Sequence, residues 1–389
     1  MTINRIRFLI LVVLVGISGF SQGMLLPIIS IIFEQEGISS SLNGLHATAL
    51  YIGILIASPF MEYPLRKYGY KPFILYGGLL VVLCLFSFPL WKSFWFWFVL
   101  RFLIGIGDHA LHFGTQTWIT SSSPSNKLGR NLSVYGISFG VGFALGPAIA
   151  PLLHIHPALP FIITSIASLI AWSLIVWLKN EYPEQDDHSP SFFRTMKRFG
   201  KVMKYGWISL LMPFGYGFLE ASLHGNFPVY ALRNGITIEH VSIILPAFAL
   251  GSIVFQLPLG ILSDKYGRRN ILVFVMASGF FTFLSASFIE HSVIGLIICL
   301  FISGMLVGST FSLGISYMTD LLPKALLPAG NLMCGIAFSM GSILGPYMGG
   351  LFIQFSPNAS FFYVISFMLL LILIALISFR QNGLVPIKE

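Results

Sequence analysis

The sequence predicts an all-α membrane protein in which twelve transmembrane helices form two six-helix bundles. Three observations carry that expectation. First, 56% of the 389 residues are hydrophobic and 9% are charged, with a mean hydropathy of +0.85, whereas soluble chains carry about a quarter charged residues. Second, twelve apolar runs are each long enough to cross about 30 Å of hydrocarbon as a helix. Third, the second half of the chain echoes the first at a spacing of 198 to 199 residues.

The runs follow one another with short interruptions. The first, from Arg7, begins with charged and apolar regions like those of a signal peptide. It continues apolar to Phe33 without a small-x-small cleavage site, so it is read as a retained first helix. Gly44, Lys71, Ser93, Asn131 and Ala158 begin the second to sixth runs. Residues 179 to 206, "KNEYPEQDDHSPSFFRTMKRFGKVMKYG", are the one long polar stretch. They are the natural linker, dividing the chain into 1–178, 179–206 and 207–389. Trp207, His240, Arg269, Ser292, Ala329 and Asn358 begin the seventh to twelfth runs. Cys84, Cys299 and Cys334 each fall inside an apolar run, with neither metal-ligand nor disulfide-framework spacing, and read as packing residues.

Charge sets the expected orientation. With the N-terminus inside, the inner segments hold Arg5, Arg7, Arg66, Lys67, Lys71, Lys127, Arg130, Lys179, Arg194, Lys197, Arg198, Lys201, Lys204, Lys265, Arg268, Arg269, Lys324, Arg380 and Lys388. Only Lys92, Arg101 and Arg233 remain outside, so both termini are expected in the cytoplasm. The net charge of +8 then reflects topology and anionic headgroups and calls for no nucleic-acid partner. The short loops suggest a bacterial cytoplasmic membrane and a monomer within the lipid bilayer.

The internal repeat is specific. "KYGYKPFIL" from Lys67 returns as "KYGRRNILV" from Lys265, "RFLIGIG" from Arg101 as "LFISGML" from Leu300, and "GFALGPAIAP" from Gly142 as "GSILGPYMGG" from Gly341. Three matches in one order indicate a six-plus-six duplication. Repeats related by an axis along the membrane normal usually build transporters, with the substrate near the midplane between the halves.

These motifs resemble those of the major facilitator superfamily over essentially the whole chain. "GILSDKYGRR" from Gly260 to Arg269 looks like its G-x-x-x-D-[RK]-x-G-[RK]-[RK] signature, in which Gly260 permits close helix contact, Asp264 can cap a helix end and accept from arginine, and Gly267 turns the chain, with Arg268 among the motif's conformational residues. The first-half counterpart, "EYPLRKYGYK" from Glu62, places Arg66 where the aspartate belongs and Glu62 where the glycine belongs. The resemblance implies that the aspartate-centred latch of that loop is lost, leaving open a swapped pairing through Arg66 or Glu62. "RFLIGIG" is similar to the R-x-x-x-G-x-G pattern of the family's proton-coupled members. The G-x-x-x-G-P motif, which the family's antiporters carry on the fifth helix, stands at Gly142, Gly146 and Pro147 and again at Gly341, Gly345 and Pro346. The fifth helix continues with Ala150 and Pro151 where the eleventh keeps Gly349 and Gly350. The resemblance points to the drug/proton antiporter-like branch, with helices 1, 4, 7 and 10 around a central cavity.

Polar residues inside the runs name the candidate site. At about 100° per residue, Arg101, Gly105, Asp108, His112, Thr115, Gln116 and Trp118 form one stripe on the fourth helix, with His109 at its edge. Intramembrane ionisable groups mark proton or substrate pathways by default; the structural alternative is an Arg101–Asp108 ion pair. On the seventh helix Tyr216, Glu220, His224 and Phe227 share one side, and Glu220 either acts in coupling or pairs with His224. Its counterpart 198 residues earlier is Gln22, which cannot carry a proton. The expectation is proton coupling through Asp108, Glu220, His112 and Arg101, and substrate contact through Gln22, Gln116, Trp118, Tyr216, His224, Phe227 and Gln256. A metal site at Asp108, His109 and His112 is a third reading, weakened by the lack of a second ligand cluster. No Walker A loop, G-x-S-x-G elbow or catalytic zinc signature is present, so neither enzyme chemistry nor a cofactor is expected. The resulting reading is a proton-coupled antiporter exporting a small hydrophobic or cationic compound. The alternative is a symporter importing a sugar or another small metabolite.

Overall fold

A computed structural model describes residues 2–123, 128–183, 192–323 and 326–379. The described residues form twelve long helical segments, besides a short helix, Glu62–Tyr68: α1 (Thr2–Gln35), α2 (Ser40–Phe60), α3 (Tyr70–Leu90), α4 (Phe94–Ser122), α5 (Leu128–Leu145, prolonged by the 3-10 stretch Gly146–His154), α6 (Leu159–Trp177), α7 (Phe192–Arg233), α8 (Ile238–Tyr266), α9 (Arg268–Ile289), α10 (Val293–Leu321), α11 (Leu327–Phe355) and α12 (Phe362–Ser378). Ten of these have the length and hydropathy to span a membrane. Of the others, α12 is apolar but only 17 residues long. α7 is diluted by the basic turns before Trp207 and by Glu220, His224 and Asn226.

The stretch 192–206, read from sequence as linker, is helical and continuous with α7. Residues 184–191 of that stretch lie outside the described residues, as do Lys127, Lys324, Arg380, Lys388 and the side chains of Arg130 and Arg194.

Local sequence explains the irregularities. The Thr48 hydroxyl turns back onto the Leu45 carbonyl at 2.7 Å where the α-helix of α2 is interrupted, a known cause of bending. Pro147 and Pro151 together remove two amide donors and tighten the end of α5 into a 3-10 stretch. α11 has one proline there, Pro346, and stays α-helical.

The duplication reappears in the packing. The positive-φ glycines, Gly37, Gly69, Gly235 and Gly267, form two pairs 198 residues apart, since the same left-handed turn recurs in each half. A methyl on Gly105 would collide with the Leu50 carbonyl oxygen, and one on Gly304 with that of Phe248. Gly142 lies as close to the Gly16 carbonyl as Gly341 does to that of Phe214. Backbone-to-backbone approach of this kind is how membrane helices pack when apolar burial offers no advantage over lipid. The halves are therefore alike in their closest crossings, α2 on α4 and α1 on α5 matched by α8 on α10 and α7 on α11.

The halves meet asymmetrically along the membrane normal. We call the end bearing the turns after α1, α3, α5 and α7 distal, and the end bearing the Gly69 and Gly267 turns basal. At the distal end Arg233 holds Glu34 through two hydrogen bonds of 2.6 and 3.0 Å, His154 meets Glu239 at 2.9 Å, and the Ser41 amide donates to Gln354. Gly44 lies against the Pro346 carbonyl and Gly350 against that of Ser40. Midway, a methyl added to Gly140 of α5 would lie 3.6 Å from the Ile253 side chain of α8, ordinary contact distance. Farther toward the base, a methyl added to Gly136 of α5 or Gly260 of α8 would meet nothing within 4 Å. Among the described residues, the hydrogen bonds and ion pairs between the halves all lie at the distal end, and we read the space between the halves toward the base as a cleft.

Candidate functional site

In the N-terminal half the cleft wall leads to a buried acid. Asp108 of α4 is 1% exposed. The Ser18 hydroxyl of α1 donates to its Oδ1 at 2.7 Å, and its Oδ2 has no hydrogen-bond partner among the described residues. Ser18 Oγ also lies 3.0 Å from His112 Nε2, whose Nδ1 is 2.8 Å from the Tyr135 hydroxyl of α5. Gln22 stands 3.4 Å from both Ser18 Oγ and His112 Nε2. Gln22, His112 and Tyr135 are half-buried. Behind Asp108, α1, α3, α4 and α6 enclose a cavity of about 20 Å³ with Ser18, Ser21 and Ser168 in its wall, room for about one water.

In the C-terminal half the corresponding positions carry different chemistry. The 198-residue offset maps Ser18 and Gln22 onto Tyr216 and Glu220, and the 199-residue offset maps His112 onto Phe311. Tyr216 donates to Glu220 Oε1 at 3.1 Å. Around this half-buried acid, Tyr216, Phe311 and Phe338 pack with ring centroids 5.5 to 6.4 Å apart, and Tyr51 of the other half approaches Phe338. One half thus presents a polar hydrogen-bond chain and the other an aromatic pocket with one acid.

Several expected partnerships do not form. Arg101 does not pair with Asp108: their separation of seven positions spans about 10 Å of helix, and its Nη1 instead lies 3.0 Å from His46 Nδ1 of α2. The rest of this fully buried guanidinium has no hydrogen-bond partner among the described residues. Glu220 bonds Tyr216 and not His224, which is fully buried with both ring nitrogens lacking a hydrogen-bond partner among the described residues and its ring against Phe143 of the other half. His109 turns to Ser58 at 3.0 Å while His112 turns to α1 and α5, so the two imidazoles diverge rather than converge on an ion.

Trp118 and Phe227 are fully buried within their own halves. Trp118 stacks on Tyr70 at 5.3 Å and donates to Glu181, which Arg7 also grips at 2.6 Å. Phe227 packs on Phe362 in the C-terminal core. Gln116 and Gln256 are exposed on the basal halves of α4 and α8. The sequence reading missed Ser18, Tyr135, Phe311 and Phe338; extending the repeat offset from Glu220 to its neighbours picks out Ser18 and Phe311.

At the basal loops, Asp264 and Asp320 flank Arg268, with Nη2 at 3.4 Å and Nη1 at 2.9 Å respectively, and Arg268 also bonds Thr319 at 2.6 Å and the Ser316 carbonyl. In the first half Glu62 and Arg66 pair with each other at 2.8 Å on one short helix, Glu62–Tyr68, a local pair rather than a latch between the halves. Gly146 packs on Gly23 and Gly345 on Phe218, so both G-x-x-x-G-P motifs face inward to α1 and α7.

The model of the family described as Major Facilitator Superfamily matches residues 11–239 and 209–386. The sequence is 58% identical over 384 residues to the uncharacterized MFS-type transporter YfkF of Bacillus subtilis (strain 168), covering 98% of each chain. It is 24% identical to the uncharacterized MFS-type transporter YcaD of Salmonella enteritidis PT4, covering 88% of this chain and 87% of the other. Among solved structures, a mutant form of the nucleoside transporter NupG superposes with a TM-score of 0.82 at 14% identity, covering 96% and 99% of the two chains. A D-xylose-proton symporter superposes with a TM-score of 0.75, also at 14% identity, covering 97% and 98%. Likeness at that identity establishes the fold alone.

Proposed function

The chain belongs to the Major Facilitator Superfamily and is a secondary membrane transporter, and on that premise we propose that it couples protons to the export of a small hydrophobic or cationic compound. One observation carries the reading. Asp108 and Glu220 lie in the membrane interior with hydroxyl partners, Ser18 and Tyr216, and neither has a basic partner within ion-pair distance among the described residues. A carboxylate in such surroundings requires a proton or a cationic group to neutralise it. Asp108, shielded behind Ser18, suits the proton. Glu220, half-buried among Tyr216, Phe311 and Phe338, suits a cationic or hydrophobic substrate, because aromatic faces attract cations as well as apolar groups.

Alternating access follows from the cleft. The distribution of basic residues supports a cytoplasmic basal end, and on that reading a closed distal end and an open basal end correspond to an inward-facing state that loads from the cytoplasm. Rocking the halves apart distally would expose Glu220 to the outside, and proton entry at Asp108 would favour return.

The test is transport of ethidium, a hydrophobic cation, by the full chain in proteoliposomes with an imposed pH gradient. The expected result is movement of ethidium opposite to the protons, lost in Asp108→Asn. Ethidium movement in the same direction as protons would indicate symport, and movement indifferent to the gradient would remove the coupling altogether.

A further inference from the structure

We propose that Asp108 exchanges its proton with the cleft through a side-chain relay, Tyr135 to His112 to Ser18, and that Ser18 is the positioning residue that completes it. The proposal rests on proton coupling at Asp108 and names the route. Its support is geometric. Oδ1 is held by Ser18, Ser18 by His112 and His112 by Tyr135, at 2.7, 3.0 and 2.8 Å. Asp108 and Ser18 both line the pocket of about 20 Å³ inside the N-terminal half. The acid is 1% exposed, while His112 and Tyr135 are half-buried at the cleft.

The donors and acceptors fit a single direction. If Ser18 donates to Asp108, its oxygen accepts from His112 Nε2–H, and the neutral ring then has Nδ1 free to accept the Tyr135 proton. To load the acid, the Ser18 hydroxyl proton passes to Asp108 Oδ1 and the His112 Nε2 proton replaces it on Oγ. The Tyr135 proton passes to His112 Nδ1, and a hydronium ion in the cleft restores the phenol. Each O–H or N–H bond broken is matched by one formed, and the net change is one proton gained by the carboxylate. Afterwards His112 is the other tautomer, so the Ser18 and Tyr135 hydroxyls must rotate before the chain can load again.

Among the described residues, the titratable groups around the acid are few. Tyr135 of α5 meets His112, which shares the helix of the acid, His109 turns away to Ser58, and Cys84 is buried on α3. α1 and α6 contribute the hydroxyls of Ser18, Ser21 and Ser168. Gln22 approaches Ser18 and His112 but has no labile proton suited to relay, which makes Ser18 the one link among the described residues between the histidine and the acid.

The experiment is time-resolved infrared difference spectroscopy of the full chain in lipid after a pH jump, following the carboxyl band assigned by its loss in Asp108→Asn. Ser18→Ala and Tyr135→Phe are expected to fill that band roughly tenfold or more slowly while reaching a clear final amplitude, which also reports an intact fold. Ser18→Thr, which keeps the hydroxyl, should restore the rate, and D2O should slow the wild type more than Ser18→Ala. If Ser18→Ala and Tyr135→Phe fill as fast as wild type, the relay is wrong although Asp108 is the proton site. If the wild type shows no titrating band that Asp108→Asn removes, the coupling reading fails and the relay fails with it.

Discussion

At the scale of the residue, the two membrane acids differ in what surrounds them. Asp108 is enclosed by hydroxyls and a small cavity, and Glu220 by aromatic rings at the cleft. Asp108→Asn keeps the shape and the Ser18 contact but cannot load a proton. It is therefore expected to bind ethidium and exchange it across the membrane while failing to accumulate it against a gradient. Uphill transport by that variant would make Asp108 a structural residue. Glu220→Gln should instead weaken binding of cationic more than neutral compounds, measurable as a change in their relative affinities. Trp118 offers the contrasting case, because its indole donates to Glu181 at 2.8 Å, far down α4 toward the base. Trp118→Phe removes that bond at a cost of about 1 kcal/mol. A lowered melting temperature with unchanged ethidium affinity would fit this role; a large loss of affinity at unchanged stability would return Trp118 to the substrate wall.

At the scale of the element, the basal loops have diverged although their backbones have not. Gly69 and Gly267 make the same positive-φ turn. The second loop builds a charged clamp from Asp264, Arg268 and Asp320, whereas in the first Glu62 and Arg66 pair locally along one short helix. The clamp ties α10 to the α8–α9 turn, so Asp264→Asn is expected to slow conformational cycling, with Arg66→Asp better tolerated. Cysteine accessibility from each side of the membrane would measure the populations, and equal effects of the two changes would contradict the asymmetry. The distal end has a comparable device in Glu34–Arg233 and His154–Glu239, which join α1 to α7 and α5 to α8. Exposed pairs are individually weak. Arg233→Ala combined with His154→Ala should nevertheless move the population toward a distally open state, detected as faster labelling of a cysteine placed at Ser40.

At the scale of the whole molecule, two similar halves enclose dissimilar chemistry. The closest helix crossings repeat from half to half, while Ser18, Gln22 and His112 face Tyr216, Glu220 and Phe311 at equivalent positions. A shared scaffold allows rigid-body rocking, and the unlike walls allow the proton and the substrate to occupy different places. Cysteines introduced at Gly136 and Gly260, where an added side chain would meet nothing within 4 Å, should react readily from the basal side. Protection on collapsing the proton gradient would link the motion to the coupling, and constant reactivity would separate them.

The sequence alone determined the class, the twelve runs and the duplication, because hydrocarbon imposes a length and polarity on every crossing and a repeated backbone approach demands repeated glycines. It also singled out Asp108 and Glu220, since a carboxylate within an apolar run stands out by its solvation cost. Helical periodicity placed Arg101, Asp108 and Trp118 on one stripe, but a stripe fixes direction around an axis and not the neighbour met at each level. Tertiary structure decided that Arg101 meets His46, that Trp118 meets Glu181, and that the Ser18 hydroxyl stands between Asp108 and His112. Those partners come from α1, α2 and the segment after α6, and single-helix spacing cannot reveal them because hydrogen bonds form across packed helices, between residues 55 to 94 apart in sequence.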